Sequence, residues 1–271
     1  MVHATTRSAD GTRLSTTTWT PTGDVAGKVV LVHGVGEHLG RYAHVGNALA
    51  AAGYAVRGVD FRGHGRSDGK RGHVQSWEQY VDDLRAAIAL DPGPHAIVAH
   101  SMGTMVSLDH LRDASPWGYV GSATTVGVAV KAPMWKLKGA KLLSKVWPSL
   151  PQSNEIPLEH ICSDPAVLDA YRADPLVFST ITPRWFIEMQ KAQQRIHAAA
   201  VHYTTPAYIP YGSDDRIISI PSLIDFAGRY GADITLARQA NMRHEVFNEP
   251  GNAAVLAGVV DWLNAHNPGQ P

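Results

Sequence analysis

The apolar positions of this chain change period along its length. Residues 28–33 form a short β-branched run with no polar break, which predicts a strand buried on both faces. Residues 55–60 and 207–211 read as further strands, and residues 12–20 alternate and read as an early strand. Between the strands the period lengthens. A helix is predicted over residues 42–52, closed by Gly53. Ser76-x-x-Gln79 predicts a capping box ahead of a helix with Trp77, Tyr80, Val81, Leu84 and Ile88 on one face. Residues 96–99 are apolar and run into Ser101 and another helical stretch, and a weaker strand is predicted over residues 123–130. From 134 to 200 the alternation stops, and the stretch reads as helical and proline-punctuated. It resumes with strand 207–211, helix 222–230, strand 233–237 and a last helix with Leu256, Val259, Val260 and Leu263 on one face. Strands alternating with helices predict an α/β fold, a mostly parallel central sheet with helices on both faces. The predicted division is a core of residues 1–133 and 201–271 with a helical cap inserted at 134–200.

The stretch Ala96-Ile97-Val98-Ala99-His100-Ser101-Met102-Gly103 puts a serine where a buried strand turns into a helix. Such a turn pushes the hydroxyl outward and sets the Met102 N–H at a helix N-terminus, where N–H groups lack intrahelical partners and favour negative charge. A serine hydroxyl is a weak nucleophile until a base takes its proton. The stretch therefore asks for a histidine, an acid and a second N–H donor elsewhere. An ordinary strand-to-helix turn that holds a serine fits the same pattern. Asp214 and Asp215 follow strand 207–211, and His244 follows the next strand. Ligands of such sheets sit at the carboxyl ends of the strands, where these residues can converge.

Composition removes several alternatives. The 271 residues are enough for one large core with an insert. Lys plus Arg equals Asp plus Glu at 24 each, a balance that points away from a nucleic-acid partner. A single cysteine, Cys162, excludes an internal disulfide and fits a reducing, cytoplasmic setting. The polar start lacks a signal-peptide core, and no apolar run is long enough to span a bilayer. His33, His38 and His44 lack the H-E-x-x-H spacing of a metal site. The glycines at 34, 36, 63 and 65 fit no phosphate-binding pattern. Asp60 and His64 read as residues that order a turn, and Cys162 as an ordinary small residue of the insert.

Five blocks in order then carry a resemblance. They are His33-Gly34-Val35-Gly36-Glu37-His38 with Arg41-Tyr42, Arg62-Gly63-His64-Gly65-Arg66-Ser67-Asp68-Gly69, His100-Ser101-Met102-Gly103, Gly212-Ser213-Asp214-Asp215-Arg216, and His244-Glu245-Val246-Phe247-Asn248-Glu249-Pro250. Together, over nearly the whole chain, they resemble the monoacylglycerol lipase family of α/β-hydrolases. The resemblance implies a serine ester hydrolase in which Ser101 attacks, His244 is the base and an aspartate orients it, in the chain order Ser, Asp, His. The family's Gly-x-x-Asp pattern, set by Gly212, implies Asp215 rather than Asp214. It also implies an oxyanion hole from the N–H groups of Val35 and Met102, and a polar head-group site at Glu37 and Arg41. No metal or cofactor is required.

Within the insert, Trp135, Leu142, Leu143 and Val146 fall on one helical face and Lys138, Lys141 and Lys145 on the other. Two readings stand side by side: a face that covers an acyl chain through Leu142 and Leu143, or a basic amphipathic helix in peripheral contact with a lipid surface. The chain departs from the family at Ala99, Thr104, Tyr211 and Arg243, the last of which could alter the base or bind an anion. The expected substrate is a monoacylglycerol-like lipid ester. Alternatives are a lysophospholipase, an aminopeptidase with Glu155, Glu159 or Glu188 holding the peptide amine, and a non-catalytic receptor.

Overall fold

The computed structural model describes residues 1–129 and 133–269. The strands in chain order are β1 (Val2–Arg7), β2 (Arg13–Trp19), β3 (Gly27–Val32), β4 (Tyr54–Val59), β5 (Ala96–His100), β6 (Gly118–Ser122), β7 (Gln152–Ser153), β8 (Thr180–Ile181), β9 (Ala207–Gly212) and β10 (Ile234–Gln239). Eight of them make one sheet in the order β1-β2-β4-β3-β5-β6-β9-β10. β1 and β2 run antiparallel, as do β2 and β4, and every pairing from β4 onward is parallel.

The parallel part is buried on both faces because its strands carry apolar residues at consecutive positions. On β3, Val30 and Val32 enter one core and Val29 and Leu31 the other. On β5, Ile97 and Ala99 divide in the same way from Ala96 and Val98. Helices α1 (Ala43–Ala51) and α8 (Asn252–His266) cover the Leu31 side with Val45, Leu49, Val255 and Val259. Helices α2 (Glu78–Ile88) and α3 (Met102–His110) cover the Val32 side with Tyr80, Leu84, Met105 and Leu108.

Strand order fixes the place of the site. From β3 the chain moves to β4 on one side, then returns to β5 on the other. The loop after β3 and the turn after β5 therefore face each other at the carboxyl end of adjacent strands, the switch point where such sheets bind ligands.

Between β6 and β9 the chain leaves the sheet. It forms α4 (Met134–Val146), α5 (Pro165–Ala173) and α6 (Pro183–Ala199), together with the small antiparallel pair β7–β8. The insert is thus not wholly helical. α6 sends Trp185, Met189, Ala192 and Ile196 into the core on the Val32 side. α4 packs on α6, and the Arg184 guanidinium donates to the Ser144 carbonyl at 2.9 Å. α7 (Ile220–Gly228) follows β9 and starts two residues before the predicted helix.

Two further expectations are corrected. The strand predicted over 123–130 lies instead at Gly118–Ser122, and its residue 130 falls outside the described residues. Buried between β5 and β9, Gly-Tyr-Val-Gly-Ser needs little side-chain bulk, so its glycines hid it. The capping box at Ser76 does not form. Trp77 is the N-cap with no side-chain bond, and Gln79 accepts from the Gln75 N–H at 2.8 Å.

Leu31 lies in the middle of β3 with no exposed surface. Leu31→Ala should destabilise the fold by about 2–5 kcal/mol, as a cavity in a core that cannot collapse. Urea unfolding followed by circular dichroism checks this, and a loss well under 1 kcal/mol would contradict the two-faced packing of the sheet.

Candidate active site

Ser101 closes β5 and is the N-cap of α3, at φ 50 and ψ −120. A non-glycine residue rarely adopts that backbone, and the strain persists only where neighbours hold it. Here the Ser101 N–H donates to Ser122 O at 3.0 Å, and the Thr104 hydroxyl donates to Ser101 O at 2.6 Å. The turn lifts the side chain out of the sheet end toward His244, whose Nε2 lies 2.9 Å from Ser101 Oγ.

His244 stands on the irregular segment between β10 and α8. Its Nδ1 lies 2.8 Å from Asp215 Oδ2. Asp215 follows β9, and its Oδ1 accepts from the Ile217 and Ile218 N–H groups at 2.7 and 3.1 Å. Those two bonds lock the carboxylate in place. Asp214 is exposed and takes the Ser213 hydroxyl at 2.8 Å. Of the two acids left open by spacing, Asp215 is the one brought to the histidine.

Burial disfavours charge on His244, but the Asp215 carboxylate outweighs it and holds the imidazole above its ordinary pKa. Burial likewise pushes Asp215 up, yet the His244 ring and two backbone N–H groups bring it below the usual carboxylate value. His100, its ring centroid 4.9 Å from that of His244, is pushed down to about 3 by burial and by its neighbour. A neutral imidazole thus packs beside one whose proton affinity is raised.

The loop after β3 approaches Ser101 closely. A Cβ on Gly34 would stand 3.1 Å from Ser101 Cβ and 2.6 Å from Glu37 Oε1, so a larger residue would displace the Glu37 carboxylate and crowd Ser101. This brings Val35 to the same cavity as Ser101 and His244. Among the described residues, neither the Val35 nor the Met102 N–H has a backbone acceptor. Asp60 orders the loop from below, accepting from the Leu39 and Arg66 N–H groups at 2.9 and 3.0 Å. Buried His64 holds the Arg62 carbonyl with Nδ1 at 3.0 Å.

The cavity over these groups has a volume of about 350 Å³. Gly34, Val35, His100, Ser101 and His244 line its base. Ile156, Leu158, Ile161, Val177 and Phe178 of the insert, with Ile217, give it apolar walls, and Ser153, Asn154, Arg172 and Ser179 give it polar ones. Glu37 lines it too, while Arg41 lies just behind, paired with both Glu37 and Glu245. The insert is anchored to the loop after β3: Phe178 N–H donates to Gly36 O at 2.9 Å, and His38 lies 2.8 Å from Asp174.

Leu142 and Leu143 are not brought to this cavity. The face of α4 turned inward carries Leu137, Ala140 and Ser144, with Leu143 half-buried beside them. Trp135, Leu142 and Val146 are 71%, 63% and 75% exposed. Helical periodicity identified a stripe but not the direction it faces. Arg243 donates to the Cys162 carbonyl at 2.9 Å and so anchors the insert. Cys162 is buried, its Sγ 3.4 Å from Asn248 O, with its thiol pushed up to about 11 by burial. Sequence reasoning also passed over Glu245 and Glu249. Both lie in the block quoted for His244, but nothing in that block's spacing marks them as ties to other segments.

A strand-order switch, a serine on a strained strand-to-helix turn, and an imidazole and carboxylate delivered by later loops define an α/β-hydrolase. Residues 23–251 match the serine aminopeptidase S33 family. The chain is 33% identical over 268 residues to a monoacylglycerol lipase of Mycolicibacterium smegmatis, covering 94% of each chain. It is 29% identical over 221 residues to human monoglyceride lipase, covering 78% of this chain and 72% of that one. The crystal structure of Paleococcus ferrophilus monoacylglycerol lipase superposes with a TM-score of 0.87 at 27% identity, over 93% of this chain and 99% of the other. The chain belongs to the serine aminopeptidase S33 family of α/β-hydrolases, a family of lipases and esterases. No helix among the described residues is long and apolar enough to cross a membrane.

The charge pair at the centre has a direct test. In an NMR titration the His244 ring should protonate with a midpoint above the ordinary value of about 6.5. Asp215→Asn removes the largest favourable charge and leaves burial opposed only by the more distant Glu245 and Glu37, so the midpoint should fall. Asp214→Asn should leave it in place. An unmoved midpoint in Asp215→Asn would mean that another group sets the basicity of His244.

Proposed function

We propose that the protein is a serine ester hydrolase acting on monoacylglycerol-like lipids. The observation that carries this reading is the unbroken chain Ser101 Oγ, His244, Asp215 at the base of a cavity with apolar walls. In this reading His244 takes the Ser101 proton as Oγ attacks the ester carbonyl, and Asp215 holds the ring in the needed tautomer and stabilises its charged form. The N–H groups of Val35 and Met102 receive the oxyanion, each contributing about 10²–10³ in rate if typical. His244 then protonates the leaving alcohol, and a water activated by the same ring releases the acid from Ser101.

The cavity's charges favour an ester over a peptide. Its carboxylates among the described residues are Glu37, Asp174 and Glu245, and each is engaged, two by Arg41 and one by His38. Glu155 and Glu159 do not line it. Glu188 is buried elsewhere, against Lys191 and the Trp77 N–H. A peptide amine would find no uncommitted acid there. The exposed apolar side chains of α4, interleaved with Lys138, Lys141 and Lys145, support peripheral contact with an anionic lipid surface.

Ser101→Ala should leave the fold intact and lower kcat by about 10⁶. The assay is a panel of monoacylglycerols, lysophospholipids, short nitrophenyl esters and aminoacyl amides, with a serine-reactive phosphonate to mark the nucleophile. Retention of a tenth of the activity by pure mutant would rule Ser101 out, and a preference for aminoacyl amides would overturn the ester reading.

The walls predict chain-length preference. Burying a Leu-sized side chain against an acyl tail contributes roughly 1.5–3 kcal/mol. Leu158→Ser should therefore lower kcat/KM for long-chain monomeric esters about ten- to a hundredfold, with short esters little changed. Leu142→Ser should alter turnover only on anionic vesicles. Equal loss on short and long esters in Leu158→Ser would place that residue in support of the core instead.

A further inference from the structure

The segment carrying His244 has neither strand nor helix of its own, so its register against the loop after β3 must come from side chains. Glu245 supplies it. Its Oε1 accepts from Arg41 Nη1 at 2.6 Å and its Oε2 from Arg41 Nη2 at 2.7 Å, a bidentate pair. The same Nη1 donates to Glu37 Oε2 at 2.6 Å. Glu37 Oε1 in turn accepts from the Gly34 N–H at 2.6 Å and the Tyr42 hydroxyl at 2.7 Å. A continuous series of charge-assisted bonds thus runs from the residue beside His244 to the residue beside Val35. Tyr171 of the insert closes it from solvent, with the Arg41 guanidinium 4.7 Å from its ring centroid.

The arrangement is more than a stabilising ion pair requires. Two buried carboxylates on one guanidinium leave a net negative charge out of water, which is costly and is weak ground for a stabilising role. Bidentate geometry fixes direction as well as distance. Glu37 and Arg41, expected at the head-group site, spend their polar atoms on each other, on Glu245 and on the Gly34 backbone.

We propose that Glu245 is a positioning residue for the ester-cleaving reaction: through Arg41 and Glu37 it locks the His244 segment to the loop that carries the Val35 N–H. This rests on the reading of Ser101 as nucleophile. Base and oxyanion donor sit on loops more than 200 residues apart in sequence, and the lock sets their separation. A misplacement of about 1 Å between such groups costs on the order of 10² in rate. The surplus charge also acts on the base. The groups facing His244 are Asp215 from the β9–α7 loop, His100 from β5, Glu245 beside it, and Glu37 and Arg41 from the loop after β3. Burial opposes protonation, while Asp215, Glu245 and Glu37 favour it. Removing the charge of Glu245 therefore makes His244 less basic, and activity persists to lower pH.

The test uses the full chain, a fluorophosphonate with the adduct located by mass spectrometry, and a soluble short-chain nitrophenyl ester assayed across pH. In Glu245→Gln the rate of Ser101 labelling and kcat should both fall about ten- to a hundredfold with KM nearly unchanged. The acid limb of kcat/KM should move to lower pH. Glu245→Asp keeps the charge on a shorter arm, so its acid limb should stay while its labelling rate still falls; it also serves if Glu245→Gln does not fold. Arg41→Met combined with Glu245→Gln should lose no more than the worse single variant, as for groups acting as one unit. Ser101 labelling within about twofold of wild type in both Glu245 variants, or fully multiplicative losses in the double variant, would overturn the proposal. A wild-type adduct on a residue other than Ser101 would instead overturn the nucleophile reading, and the proposal with it.

Discussion

Everything at the site depends on one backbone constraint, the positive φ of Ser101. A side chain in that conformation costs on the order of 1–3 kcal/mol, so the fold must hold it from several directions. It does so with the Ser122 carbonyl from the neighbouring strand and the Thr104 hydroxyl from the first turn of α3. The same constraint requires empty space on the far side of the crevice, which Gly34 provides. A serine left in an ordinary helical turn would lie against the sheet and meet neither the imidazole nor the loop after β3.

The partners of Ser101 arrive on loops, and loops have no ladder to fix them. The molecule compensates with buried polar ties. Two backbone N–H groups pin Asp215. Arg41 and Glu245 tie the His244 segment on one side. On the other, the insert ties it through Ile161 O to the Glu245 N–H, Cys162 O to Arg243, and Ser163 to both oxygens of Glu249. The insert is therefore part of the frame that orients the histidine as well as a wall of the cavity. This gives Arg243 and Glu249 a structural reason to be where they are.

How much of this was legible in the chain follows from what each signal encodes. The central strands could be read because burial on both faces leaves unbroken β-branched runs, as in 28–33. The β1 strand could not, since an exposed edge needs no apolar pattern, and β6 was displaced because glycines replaced side chains. The convergence of Ser101, Asp215 and His244 was recoverable because such a trio takes particular residue types in a known order. Asp215 needed the resemblance, since alternation alone cannot choose between adjacent acids. The cavity walls were missed for a different reason. Ile156 and Val177 lie on irregular segments and Leu158 on a single 3-10 turn, with no period to follow, whereas Trp135, Leu142 and Val146 of the periodic stripe of α4 face outward. The Arg41 ties join positions far apart in sequence, and spacing carries no trace of such a contact.

Electrostatics links these levels. A bare charge on a largely apolar cavity wall holds water and is costly to bury. The carboxylates around this cavity are accordingly turned inward to partners within the protein, Glu37 and Glu245 to Arg41 and Asp174 to His38. Arg41 balances one of its two carboxylates, and the surplus negative charge of that group lies beside His244. There it favours the protonated form of the His244 ring. The arrangement that pairs Glu37 and Glu245 is thus the same one that ties the His244 segment in place and raises the proton affinity of its ring, all through a single group of buried side chains.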